Sequence, residues 1–324
     1  MKHRMIRRIL FGLLSGVVIA STAAPSRAQA WLPPKGEAWF SAGYGSIFST
    51  KHYFGTVNAG ESSTIDVGHT RGNSIVLQLG YALSDRFSVS VGLPYEIYKY
   101  YGPAPHPTVQ DDGRYHGTWQ DYHFNLAYQL VSGSAALAPF VTAVVPSHDY
   151  QYFAHAAPGK ELHEYRLGLA AGSRLDRLLA GSYLQADYSY AFVEKVQGIH
   201  HDRSDFDLEA GYFLTPEMRV RLLGSGYYTH GGLVFHTPFD LPPSLLPYHD
   251  QIGHSSQINV GGGLSYALSG STEVYAVYAQ SVWGRDGHKI DNGLNFGVTY
   301  SFSPSQLVRR IFPPKSPGTP VGTP

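Results

Sequence analysis

Apolar and polar residues alternate one by one in the segment that ends at Phe302. Leu294, Phe296, Val298, Tyr300 and Phe302 form one set, and Gly293, Asn295, Gly297, Thr299 and Ser301 form the other. Successive side chains of a strand point to opposite faces, so this segment predicts a strand with one apolar and one polar face. A strand in the wall of a membrane barrel shows this pattern, because one of its faces contacts lipid and the other faces the polar interior. Aromatic residues at the ends of the apolar face are typical of a membrane interface. A soluble β-sandwich also alternates, so the pattern alone leaves both folds open.

The same alternation recurs along the chain and predicts twelve strands. Their apolar faces fall within residues 38–48, 75–83, 87–97, 122–130, 137–145, 165–171, 184–192, 206–214, 218–222, 258–268, 274–279 and 294–302. Five connections are short and rich in turn-forming residues, near 84–86, 132–135, 176–181, 215–217 and 269–271. Six longer polar connections lie between them, near 50–71, 101–115, 147–163, 194–203, 229–254 and 282–290. Bacterial outer-membrane barrels have an even strand number and alternate short periplasmic turns with long outer loops, whereas a sandwich gives no reason for this alternation.

The pattern therefore predicts an all-β fold, a transmembrane antiparallel up-and-down β-barrel of about 12 strands over residues 31–302. Four basic residues, Lys2, Arg4, Arg7 and Arg8, precede an apolar run from Ile9 to Ala20, and Ala28 and Ala30 supply small residues for cleavage. This arrangement predicts a signal peptide over residues 1–30. A retained helical anchor is the alternative, but the run is shorter than the roughly 20 residues that span a bilayer.

Composition narrows the function further. The chain has no cysteine, so disulfide and thiol chemistry are excluded. Without residues 1–30, nineteen basic residues face 24 acidic ones, so the exported chain is mildly acidic and offers no basic stripe for nucleic acid. We predict no nucleic-acid partner and no cofactor.

The C-terminal part of the chain has two features. Asn295, Gly297, Tyr300 and Phe302 resemble the C-terminal assembly signal of bacterial outer-membrane proteins, which implies the barrel assembly machinery as a partner. Residues 303–324 contain six prolines, which exclude a further strand. We expect a disordered periplasmic tail there, with a docking segment at residues 307–312 as the alternative.

Charged residues fall on the polar faces of several predicted strands. The candidate lumen-lining residues are Glu96, Arg166, Arg174, Asp187, Asp205, Asp207, Glu209, Arg219 and Arg221. Isolated buried charges are too costly, so these side chains imply either a water-filled passage or mutual pairing. In the plugged alternative, Asp207 and Glu209 pair with Arg219 and Arg221 on the adjoining strand. Twelve strands predict a narrow or loop-gated channel, between packed eight-stranded barrels and open sixteen-stranded porins.

Histidines concentrate in the predicted long loops. Three of these loops carry His followed by Asp, which gives a candidate loop cluster of His148, Asp149, His201, Asp202, His249 and Asp250. Loops that meet over a barrel mouth could jointly bind a divalent metal. No ligand spacing of known specificity is present, so we favour pairing with neighbouring carboxylates and predict no metal site.

An enzymatic function has a weaker basis. Some twelve-stranded barrels hydrolyse lipids, and His254, Ser256 and Asn259 offer residue types that could activate a serine. No further residue completes a recognisable triad, so we interpret these residues as a polar strand end and predict no enzyme activity.

Longer motifs resemble an outer-membrane transporter family associated with the meta pathway of phenol degradation. The matching segments are residues 31–37 (WLPPKGE), 80–85 (GYALSD), 93–94 (LP), 112–117 (DGRYHG) with 120–121 (QD), and 146–150 (PSHDY). The resemblance implies a membrane barrel that passes small substrates, aromatic compounds among them, and it implies no particular binding residues. We therefore expect an outer-membrane channel with lipid and a small-molecule solute as partners, and the resemblance places aromatic or other hydrophobic compounds first among the candidate solutes. A closed, loop-capped barrel with a binding or structural role is the alternative.

Overall fold

The computed structural model describes residues 30–53, 64–65, 68–102, 110–234, 241–305 and 307. The signal peptide predicted for residues 1–30 falls almost wholly outside this set, and so does most of the predicted tail. Both stay predictions. In the part of the chain that is described, no helix is long and apolar enough to cross a membrane.

Sixteen strands are present in the described residues, together with a short 3-10 helix (Leu246–Tyr248) and a one-turn helix α1 (His249–Ile252). The strands of the first half are β1 (Ala38–Ser49), β2 (Lys51–Tyr53), β3 (Thr64–Ile65), β4 (His69–Ala82), β5 (Phe87–Tyr101), β6 (His116–Trp119), β7 (Tyr122–Tyr128) and β8 (Ala135–Val145). Those of the second half are β9 (Glu164–Arg174), β10 (Ser182–Val193), β11 (His201–Phe213), β12 (Met218–Gly231), β13 (Ser256–Ser269), β14 (Thr272–Arg285), β15 (Gly287–Lys289) and β16 (Asn292–Phe302).

The main sheet closes into an antiparallel barrel. Each strand pairs with its neighbours in chain order, and β1 pairs with both β4 and β16, so the first and last strands form the seam. Both β6 and β7 pair with β5 and together form one wall strand that is interrupted at Gln120 and Asp121. The closed ring therefore has the twelve strands that the sequence predicts, and closure leaves no unpaired edge in the membrane.

The two faces of the wall differ as predicted. Large apolar side chains of the outer face are exposed, among them Leu79, Phe124, Tyr188 and Phe296. Side chains of the inner face are polar and mostly buried, as Ser41, Ser189, Glu209 and Asn295 show. An exposed apolar belt around a polar interior is the arrangement that lipid requires, so the protein is an outer-membrane β-barrel.

The predicted long and short connections lie at opposite ends of the barrel. The five short turns and both ends of the sheet, Ala38 and Phe302, share one end, which is the periplasmic end in proteins of this kind. At the other, extracellular end the strands are longer than predicted. For example, β12 reaches Gly231 and β14 reaches Arg285, within segments that the sequence predicts to be loops. Beyond the lipid both faces of a strand meet polar surroundings, so the apolar alternation ends before the strand does.

Candidate lumen and mouth of the barrel

Four charged side chains form a closed network on the inner wall near the extracellular end. Arg203 on β11 binds Glu164 on β9 (Nη2–Oε2, 2.9 Å) and Asp205 (Nε–Oδ1, 2.8 Å). Arg166 binds the same two carboxylates, at 2.6 Å to Glu164 and 3.7 Å to Asp205. All four side chains are largely buried, and their charges cancel. Buried charges are tolerated only when they are paired in this way.

A second group of ion pairs lies nearer the periplasmic end. Arg221 on β12 binds Glu209 on β11 (Nη2–Oε2, 2.5 Å), and the Tyr183 hydroxyl also donates to Glu209. This is one of the two pairings that the plugged alternative requires. Arg219 binds Glu273 on β14 at 2.6 Å, a residue that the sequence-based set of lumen residues omits. The Arg219–Glu273 pair is the more exposed of the two, because both residues lie next to the periplasmic rim.

The other predicted lumen residues are spread along the same inner face. Glu96 on β5 is buried and hydrogen-bonded to Tyr98. Asp187 and Asp207 stand opposite each other across β10 and β11. Arg174 is exposed at the periplasmic end of β9. Lining of a solute path by these residues stays a proposal, but all of them lie on inner-face positions of the wall.

Aromatic rings on the inner face lie over glycines of neighbouring strands. A Cβ added at Gly211 would overlap the ring of Tyr183, and one at Gly297 would overlap the ring of Tyr275. Gly80 and Gly168 are covered in the same way by Trp39 and Phe140. Because a ring above a glycine rests against the wall, these large side chains need not project toward the barrel axis.

The periplasmic end is narrowed by residues 30–32. Ala30 packs against small inner-face residues, Ala136, Ala138 and Ala170, and against Phe140, while Trp31 and Leu32 cover the same cluster. Gln129 fixes the segment: its Nε2 donates to the Ala30 carbonyl (2.9 Å), and its Oε1 accepts the Leu32 N–H (2.7 Å). Because Ala136, Ala138 and Ala170 have small side chains, the inner wall leaves space there for residues 30–32. The predicted cleavage after Ala30 would leave Trp31 and Leu32 in this position, and we call these two residues the N-terminal plug.

The extracellular end is narrowed by residues 146–163, the connection between β8 and β9, which we call the mouth loop. The Tyr150 hydroxyl donates to Asp121 (2.7 Å) and accepts the Glu161 N–H (2.8 Å). Gln120 donates to the Pro158 carbonyl, and Gln251 of α1 donates to the Lys160 carbonyl. The loop is thus fixed to the wall and to the β12–β13 connection by polar contacts.

The half-buried Lys160 brings a positive charge close to the inner-wall network. Burial lowers its pKa to about 8; Arg203 lowers it too, against the opposing effect of Asp250 and Glu164. The mouth loop and the wall are therefore electrostatically coupled at this point.

Within the described ranges, the ligand atoms of the predicted His–Asp loop cluster do not converge on one metal-sized position. His148 contacts Thr118 and Ser147, and His201 is buried at the start of β11. Asp202 accepts from the Val193 N–H and from the Tyr190 hydroxyl, and His249 pairs with the adjacent Asp250 (3.3 Å). The mouth loop also carries Asp149, beside His148. The residues whose ligand atoms do converge, within the described ranges, are His52, His155 and His288.

The serine of the enzymatic alternative has other partners. Ser256 is buried, and its Oγ accepts from the Thr229 N–H. Asn259 Oδ1 accepts from Gln257 and Ser281, while His254 Nε2 has no hydrogen-bond partner. The three residues therefore do not form a His-activated serine in this structure.

Comparison with known proteins supports the fold. No family model and no curated protein sequence matches the chain, so the resemblance to the phenol meta-pathway family is not confirmed. An outer-membrane channel from Pseudomonas putida F1 has a similar structure, with a TM-score of 0.66 and 13% identity over 86% of this chain and 100% of that one. Weaker likenesses include the NanC porin (TM-score 0.46, 9% identity, 80% and 98% coverage) and the CymD monoaromatic hydrocarbon channel (TM-score 0.42, 11% identity, 84% and 89% coverage). At 13% identity, the likeness to the Pseudomonas channel shows the fold alone.

Proposed function

We propose that this protein is an outer-membrane channel for small solutes, with uncharged or aromatic compounds as its preferred cargo. The observation that carries the proposal is the charged inner face, which continues from the Glu164 network to the Arg219–Glu273 pair and becomes more exposed toward the periplasm. A closed barrel could pair the same charges, but apolar residues often replace buried ion pairs without loss of stability, so a charged wall favours an interior that meets water. The name of the Pseudomonas protein, a channel, supports the same conclusion.

The charge balance of the inner face bears on the cargo. The inner-face residues named above include seven carboxylates (Glu96, Glu164, Asp187, Asp205, Asp207, Glu209, Glu273) and five guanidinium groups (Arg166, Arg174, Arg203, Arg219, Arg221). A slight acidic excess disfavours anions without creating a strong field for cations. The rings of Tyr183, Tyr275, Trp39 and Phe140 offer flat apolar surfaces between the ion pairs. Such a wall suits uncharged small molecules, aromatic ones included.

The test is conductance of the purified, refolded protein in planar bilayers. We expect small discrete steps and a reversal potential slightly on the cation side in a salt gradient. Arg219→Gln leaves Glu273 without its positively charged partner and should shift the reversal potential further toward the value for a cation-selective channel. Arg114→Gln is the control and should leave the reversal potential unchanged, because the Arg114 side chain is 83% exposed.

The alternative is a closed barrel with a binding or structural role. The narrowing of both ends, by the N-terminal plug and by the mouth loop, favours it. A silent bilayer with folded protein, together with unchanged uptake of aromatic compounds after gene deletion, would support the closed barrel and overturn the channel.

A further inference from the structure

Three histidines from three different connections meet at the extracellular mouth. The ligand nitrogens of His52, His155 and His288 all lie within 4.8 Å of one another, and the Nε2 atoms of His52 and His288 are 3.0 Å apart. The ring centroid of His155 lies 4.8 Å from that of His52 and 5.7 Å from that of His288. His52 is buried and the other two are partly exposed, so the trio faces the outer medium from a sheltered position.

The backbone places two of these rings side by side. His52 on β2 and His288 on β15 are direct partners in the antiparallel register of a small three-stranded sheet. Opposite residues in such a pair carry their side chains on the same face, close enough to touch. Their approach is therefore built into the sheet and does not depend on a chance rotamer.

The third ring is held by the mouth loop. The Asp111 carboxylate accepts the backbone N–H groups of His155 (3.1 Å) and Ala156 (3.0 Å). The His155 ring also stacks on Tyr100, with centroids 4.9 Å apart and an 18° angle between the planes. These contacts hold His155 beside the other two without help from a bound ion.

Three neutral imidazoles are a ligand set for a borderline divalent cation. Zinc binds histidine nitrogen at about 2.0–2.1 Å, so nitrogens in a tetrahedral site stand about 3.4 Å apart. The His52–His288 separation is close to this value, and a rotation of the His155 ring would close the remaining gap. We propose that His52, His155 and His288 form a transition-metal site for Zn²⁺ or a similar ion, with the fourth position open to water.

Such a site would join two parts of the extracellular end. β2 follows β1 and β15 precedes β16, so His52 and His288 stand above the seam of the barrel, whereas His155 belongs to the mouth loop. A bound ion would tether the mouth loop to the seam. This inference does not depend on the proposed transport function, because a closed barrel could bind the ion equally well.

The experiment is a zinc titration of the full-length protein, refolded in detergent without a polyhistidine tag and freed of metal with a chelator that is then removed. Calorimetry should give one strongly bound Zn²⁺ per chain, and Co²⁺ should give the visible spectrum of a four-coordinate site. Loss of outer-shell partners alone typically costs about 10–100-fold in affinity, so His155→Gln and His288→Gln should each weaken zinc binding at least about 100-fold. Mg²⁺ and Ca²⁺ should not compete, because they prefer oxygen ligands.

His148→Gln is the matched control, because His148 lies in the same mouth loop but bonds Thr118 and Ser147. It should bind zinc like the unmodified protein. Heat-modifiable migration in gels confirms that each variant is folded, and His155→Gln alters only a loop. Absence of strong zinc binding by the folded protein would show that His52 and His288 are merely a hydrogen-bonded pair. Equal affinity in all variants would place the ion elsewhere. Either result overturns the proposal.

Discussion

The two ends of this barrel are narrowed by different kinds of contact. At the periplasmic end, the N-terminal plug lies on alanines and one phenylalanine, and Gln129 accepts the Leu32 N–H. At the extracellular end, the mouth loop is held mainly by side-chain hydrogen bonds and lies beside a charged network and three histidines.

The difference indicates which end responds to the surroundings. Apolar contact depends on area and shape and changes little with pH or ions. Hydrogen bonds and charges depend on protonation, on salt and on metal ions. The extracellular closure is therefore the adjustable one, and the periplasmic closure is a fixed constriction. Substitutions at Arg203, at Trp31 and at Lys160 test this contrast, from the largest expected effect to the smallest.

Arg203→Met should have the largest effect, and at the extracellular end. It removes one of the two arginines that Glu164 and Asp205 share, so Arg166 alone would face both carboxylates. Loss of one member of a buried ion-pair network typically costs about 3–5 kcal/mol. We expect this loss in the free energy of unfolding measured with urea in detergent. The matched control is Arg114→Met on the exposed surface. Equal stability of the two variants would show that the network is not needed.

Trp31→Ala should act at the periplasmic end. It removes an indole that packs over the alanine cluster and donates to the Gly133 carbonyl (2.9 Å). Full burial of Trp is worth about 3–5 kcal/mol, and Trp31 is only partly buried, so we expect a loss of about 2 kcal/mol. The loss should be the same in acidic and in alkaline buffer.

Gly172→Val should also lower stability, because the valine side chain would overlap the Trp31 indole. Leu178→Ala, in a turn where Leu178 is 85% exposed, is the control. A strong pH dependence of the Trp31 effect would contradict the contrast between the ends.

Lys160→Met should have the smallest effect and the opposite sign. Burial and Arg203 lower the Lys160 pKa to about 8 from an ordinary 10.5, so the unfolded chain binds the proton more tightly between these values. The unmodified protein should gain stability as the pH rises from about 8 toward 10.5, and the charge should oppose folding fully below pH 8. Lys160→Met should raise stability by about 1 kcal/mol or less at neutral pH and remove this alkaline gain. If Lys160→Met still gained stability at alkaline pH, another titratable group would be responsible for the rise.

The sequence predicts the barrel well because one physical cause acts at every position of the wall. Lipid on one side and a polar interior on the other impose a period of two, which is visible in residues 294–302 as in the other strands. The strand ends beyond the lipid, such as Gly231 of β12, lack this signal and are missed.

The candidate site is predictable only where partners are near in the chain. Glu209 and Arg221 flank one short turn, so their pairing follows from the hairpin. Arg219 binds Glu273 across β13, which requires knowing how three strands line up. The histidine trio depends on loop paths, and the His–Asp dipeptides direct attention to residues whose ligand atoms do not converge within the described ranges. The one available signal is that His52 and His288 lie just beyond the first and last predicted strands.

The pairing of β2 with β15 has a consequence for biogenesis. His52 and His288 are 236 positions apart, and they come together only above the junction of β1 and β16. In any state in which the sheet is still an open ribbon, these two imidazoles lie at its opposite edges. Their contact therefore marks the moment at which the ribbon becomes a cylinder, and a cross-linker or a spin label at these two positions would report that event.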